Sequence, residues 1–142
     1  MAGAARLLVV HDGEGDGNSL VEQLRALRYE VDVADGVGPA CFMLRRTDYT
    51  TVIADLPAAD SGALAVLRAA SRSHPAARVI LTLPAVASAA EPALPELSRA
   101  AYRCLRQPVG LEDELLPVVR EAIADHRSEF ERPIHGFRPR VR

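Results

Sequence analysis

The stretch Thr51-Val52-Ile53-Ala54-Asp55 couples a short apolar run to a carboxylate. β-Branched residues followed by alanine read as a strand buried on both faces. Small residues then follow, Leu56-Pro57-Ala58-Ala59-Asp60-Ser61-Gly62. In an open parallel sheet, ligands sit in the crevice outside the carboxyl ends of the strands. Asp55 is therefore expected at the mouth of that crevice, where a carboxylate does chemistry. The plain alternative is a turn cap, since Asp often bonds its own backbone two residues on.

A second chemistry-bearing stretch is Asp12-Gly13-Glu14-Gly15-Asp16-Gly17, which half matches a calcium loop. Its twelfth position is Gln23 rather than Glu, and a strand rather than a helix leads in, so the match is discounted. Asn18 stands where a dinucleotide fingerprint needs its third glycine. All 17 basic residues are Arg, which excludes a P-loop lysine and Schiff-base chemistry. Cys41 and Cys104 fall in apolar stretches without metal-ligand spacing and are expected as buried thiols. No nucleophile–base pair marks a hydrolase or transferase, and no enzyme activity beyond slow self-phosphorylation from a phosphodonor is expected.

The elements that must position Asp55 can be read in order. Arg6 to Val10 is an apolar run ending in His11-Asp12. Ser19 to Leu27 has apolar residues at 20, 21, 24 and 27, one helical face. Tyr29 to Ala34 alternates as a half-exposed strand, and Asp35-Gly36 marks a turn. A helix is expected over Ala40–Arg46, its two final arginines suiting the carboxyl end of the dipole. After the central strand comes a helix from Gly62 to Ser71, stopped by His74-Pro75. Arg78 to Thr82 is another buried run ending in a hydroxyl.

Residues 84–100 are Ala-rich but broken by Pro84, Pro92 and Pro95, so a short or irregular helix is expected. Tyr102 to Leu105 is a last strand, and Leu111 to His126 a clearly amphipathic helix. Alternating strands and helices imply an α/β fold: a doubly wound five-stranded parallel sheet, order 2-1-3-4-5.

The length of 142 residues, 49% hydrophobic and 25% charged, suits one globular domain, taken as residues 1–125, with a basic tail or linker at 126–142. That tail holds five arginines against Glu129 and Glu131 in a chain of net charge −2, so the body is acidic. Phe130, Ile134 and Phe137 interleave with those arginines, a pattern that suits docking on a partner or on the domain. This balance does not suit a dedicated nucleic-acid binder. No run is long enough for a membrane span, and a cytoplasmic location is the default expectation.

In order and spacing, four pieces resemble the receiver domain of bacterial response regulators over residues 6–125. They are Leu7-Leu8-Val9-Val10-His11-Asp12, Val52-Ile53-Ala54-Asp55-Leu56, Val79-Ile80-Leu81-Thr82 and Ala101-Tyr102-Arg103-Cys104-Leu105-Arg106-Gln107-Pro108. The resemblance implies a flavodoxin-like receiver fold in a two-component phosphorelay. It implies Asp55 as phosphoacceptor from a histidine kinase, Mg²⁺ held by Asp12 and Asp55, and Thr82 bonding the phosphoryl group.

Three positions depart from the pattern. His11 replaces the first acid of the pair, Gln107 the lysine before proline, and Cys104 the switch aromatic. The loop after Asp55 is about one residue short and lacks the usual Met-Pro step. His11 removes a negative charge, and Gln107 donates only a neutral hydrogen bond, about half as strong as a charge-assisted one. Weak or absent Mg²⁺ binding is expected, and an atypical receiver acting by protein–protein contact. Homodimerisation through the face of the fourth helix, fifth strand and fifth helix is part of that expectation. The alternative is a degenerate pseudo-receiver that serves as a phosphorylation-independent interaction or dimerisation module.

Overall fold

The computed structural model describes residues 5–11, 17–55, 62–83, 101–106 and 110–131. Five parallel strands, β1 (Arg6–His11), β2 (Glu30–Asp35), β3 (Thr51–Asp55), β4 (Arg78–Leu83) and β5 (Arg103–Arg106), form one sheet of order 2-1-3-4-5. The helices described are α1 (Gly17–Ala26), α2 (Val37–Arg46), α3 (Gly62–Ser73) and α4 (Leu116–Glu131), the last preceded by a π-helical turn at Leu111–Leu115.

Side chains alternate across a strand, so each central strand feeds two cores. Leu8, Val10, Val52, Ala54, Val79 and Leu81 pack with Ala40 and Leu44 of α2 and Val66, Leu67 and Ala70 of α3. Leu7, Val9, Ile53 and Ile80 pack on the other face with Leu20, Val21 and Leu24 of α1 and Val119, Ala122 and Ile123 of α4. That explains the unbroken apolar runs of β1, β3 and β4: both parities are buried.

The element boundaries differ from the expected ones for local reasons. α1 begins at Gly17 and ends at Ala26, and Arg28 turns the chain out of it with φ 74. Leu27, placed by periodicity on the apolar face, is 38% exposed because it lies past the helix end. β2 is an edge strand, so its alternation is imperfect: Val33 is 38% exposed while Ala34 is buried.

α2 starts three residues early, at Val37. Gly36 supplies the positive φ (107) at its N-cap, and Pro39 sits in the first turn, where it needs no N–H partner. Ahead of α4, the N–H of Leu115 bonds the carbonyl of Gly110 at 2.9 Å, a five-residue step, and Pro117 follows with no N–H to give. α4 then runs to Glu131, five residues past the expected end. Neither Cys41 nor Cys104 is in a disulfide, and both are half-buried rather than buried. The irregular helix expected at 84–100 and the chain after Glu131 lie outside the described residues.

Candidate functional site

The middle strand ends in Asp55, and the register of its neighbours brings chemistry to it. Thr82 on β4 is the Cα partner of Asp55, and its hydroxyl donates to Asp55 Oδ1 at 2.6 Å. Thr82 is buried, and Asp55 is half-buried. On the other flank His11 is the Cα partner of Asp55, and Asp35 is the partner of His11 in turn. In-register residues of parallel strands share a face, so Asp35, His11, Asp55 and Thr82 form one row across the carboxyl edge. By parity the row continues Leu7, Val9, Ile53 and Ile80, so it sits over the core shared with α1 and α4.

The strand ends put it there. Each of β1, β3 and β4 changes from apolar to polar within one residue of the same level, because the sheet register aligns those changes. Cys104 pairs with Leu81, one step below this row and of opposite parity, and packs against the core facing α2 and α3. It stands at the expected aromatic position with a small, half-buried side chain. Asp12, Gln107 and the loop from Leu56 to Ser61 lie outside the described residues, as does the half-matched calcium loop over 12–16.

Asp35 is the residue that sequence reasoning missed. From the sequence it reads only as part of a turn with Gly36. The available signal was its place as the last residue of an edge strand, which the register turns into a neighbour of His11. Among the described residues, no three His, Cys, Asp or Glu side chains gather around one point. A row explains this: Asp35 and Asp55 stand two strand spacings apart, roughly 10 Å.

A shallow groove of about 430 Å³ lies at the opposite, amino-terminal edge, lined by Asp48, Tyr49, Thr50, Ser73, His74, Pro75, Ala76 and Ala77. It shares no residue with the row. No helix among the described residues is long and apolar enough to cross a membrane.

No protein-family model matches the chain, and no curated protein does. Solved structures do. The CheY-like response regulator receiver domain protein of Methanospirillum hungatei JF-1 superposes with TM-score 0.75 at 22% identity, over 89% of this chain and 99% of that one. The non-phosphorylated HemR receiver domain of Leptospira biflexa gives 0.69 at 24% identity, over 84% and 94%. A response regulator protein of Burkholderia pseudomallei, solved with a phosphorylated aspartic acid, calcium ion and citrate, gives 0.65 at 22%, over 92% and 76%. The flavodoxin-like fold of this chain is thus the fold of response-regulator receiver domains.

Proposed function

We propose that this chain is a receiver module of phosphorelay signalling in which Asp55 accepts a phosphoryl group. The observation that carries the reading is the Thr82 hydroxyl at 2.6 Å from Asp55 Oδ1, at the carboxyl end of the central strand. One Asp55 oxygen is held by Thr82, at the carboxyl end of the strands, where parallel sheets bind ligands. Phosphoryl transfer depends mainly on positioning and charge neutralisation, and a fixed carboxylate beside a hydroxyl donor supplies the positioning. After transfer, the same hydroxyl is placed to bond a phosphoryl oxygen. A histidine kinase is the phosphodonor of this reading. The output is contact with another protein or a second copy through the face that carries β5 and α4.

Charge neutralisation is the weak part. With no lysine in the chain, no lysine ammonium can neutralise the phosphoryl group. A bound divalent cation would neutralise phosphoryl oxygens, and among the described residues the donors beside each other are the His11 imidazole and the Asp55 carboxylate. Mg²⁺ prefers oxygen ligands, so this pair fits it poorly. Asp12, the other ligand proposed by resemblance, is the acid on which Mg²⁺ binding would turn.

The test is intact mass after incubation with a small acyl-phosphate donor, beside Asp55→Asn. Gain of one phosphoryl group in the parent alone supports the reading. No gain at saturating donor with any divalent cation retires it. The second reading, a phosphorylation-independent interaction module, would then stand, favoured by the small Cys104 in place of an aromatic that could change rotamer.

A further inference from the structure

We propose that Arg25 closes the outer edge of β2, and that without it a second copy of this chain adds its own β2 there, edge to edge. β2 and β5 are the two edge strands of the sheet. An open edge presents a row of N–H and C=O groups and is a template for strand addition. Folded chains blunt such edges with short strands, prolines, bulges or lysines.

β5 is blunted by its length of four residues. β2 is not: its six residues, Glu30-Val31-Asp32-Val33-Ala34-Asp35, match β1 and β4 in length and include no proline, glycine or lysine. Nor does charge close it. Glu30 and Asp32, two of its three acids, are paired with Arg6 at 2.9 and 3.3 Å. Val33 is exposed, so the strand also offers apolar surface to a partner.

The register says which backbone groups face outward. The Glu30 N–H donates to the Ala5 carbonyl at 3.0 Å, so even-numbered residues of β2 bond β1, and odd-numbered ones turn their N–H and C=O away from it. The Val31 carbonyl is one of the outward groups, and the Arg25 guanidinium donates to it at 2.8 Å. The end of α1 places Arg25 there. The Arg28 N–H bonds the Arg25 carbonyl at 2.9 Å, the Tyr29 N–H bonds the Leu24 carbonyl at 3.3 Å, and the positive φ of Arg28 turns the chain into β2. The last helical turn is thereby held beside the first residues of the strand, within reach of an arginine side chain. Hydrogen bonds from a charged donor are the stronger kind, and an incoming strand must break this one before it can bond Val31. Two copies of β2 running antiparallel would form a two-fold, self-complementary pair through the outward groups of Val31 and Val33.

The experiment is sedimentation of the full chain over a concentration series, comparing the parent with Arg25→Met, which keeps an unbranched apolar stem and loses the donor. Arg25→Met should self-associate at least about tenfold more tightly than the parent. Adding Val33→Pro to Arg25→Met should return it to the parent's behaviour, because that residue's N–H points outward and its loss removes no bond to β1. Amide exchange at Val33 should slow with concentration in Arg25→Met and not in the parent. If Arg25→Met does not fold, Arg25→Gln carries the same comparison. Equal self-association in the parent and the folded Arg25 variant overturns the proposal, as does association that survives Val33→Pro. Phosphoryl uptake by intact mass should be unchanged in Arg25→Met, so the phosphoacceptor reading stands or falls separately.

Discussion

The two edges of the sheet are both polar, yet they are built differently. At the amino-terminal edge the polar groups close on one another. Arg6 pairs with Glu30 at 2.9 Å and Asp32 at 3.3 Å, and the Tyr49 hydroxyl donates to Asp32 at 2.7 Å. Tyr102 donates to Asp125 at 2.6 Å and lies under the guanidinium of Arg103, which reaches Glu121. His74 sits between the Leu44 carbonyl at 2.7 Å and Asp48 at 3.3 Å. These contacts tie strand starts to one another and to neighbouring loops and helices.

At the carboxyl edge four polar residues stand in a line at the strand ends that open on the crevice, and the Thr82 hydroxyl donates to Asp55 there. Polar density alone therefore does not mark a site. What marks it is a row of different chemical types at the strand ends where a parallel sheet opens.

The comparison can be broken by variants that move function and stability together. The largest expected effect is Asp55→Asn: loss of phosphoryl uptake by intact mass, with stability in urea within about 0.5 kcal/mol of the parent. Ile53→Ala, two residues earlier and fully buried, should instead cost about 2–5 kcal/mol in a urea melt, as a cavity in the core. Thr51→Val sharpens the point in the opposite direction. Thr51 Oγ1 is buried with no hydrogen-bond partner among the described residues, so the variant should gain about 1 kcal/mol in the same melt.

Tyr49→Phe should cost about 0.5–1.5 kcal/mol and leave phosphoryl uptake unchanged, because its bond to Asp32 belongs to the amino edge. If uptake fell instead, the separation of the two edges would be wrong.

The smallest effect is alkaline. Burial, and then the Asp32 hydrogen bond, push the Tyr49 hydroxyl from 10.0 up to about 12. For Tyr102, burial and then Asp125 push it likewise to about 12. The folded state holds these protons more tightly, so their stabilisation is complete below pH 10 and is lost as pH rises toward 12. Melts across that range should show a decline that Tyr49→Phe makes shallower.

The core and the strand order were legible in the sequence because burial on both faces leaves uninterrupted runs such as Leu7-Leu8-Val9-Val10, which no half-exposed strand carries. The central positions Asp55 and Thr82 were legible too, as polar residues ending those runs. Asp35 was not, because a residue at the end of an alternating edge strand looks like any turn acid. Alternation would also bury Val33, but an edge strand has a core on only part of its length, and Val33 is exposed. The start of α2 was obscured by Pro39, which reads as a breaker until the first-turn position makes it harmless.

By itself the sequence determined the class of fold, the three strand-end residues worth examining, and the absence of any lysine. Those follow from local composition, since burial and side-chain type act residue by residue. Only the tertiary structure decided which residues became neighbours. Asp35, His11, Asp55 and Thr82 come from four strands that are separated by whole helices in the chain. Their adjacency exists only once hydrogen-bonded register fixes each strand to within one residue, because a single-residue slip would turn every one of them to the other face.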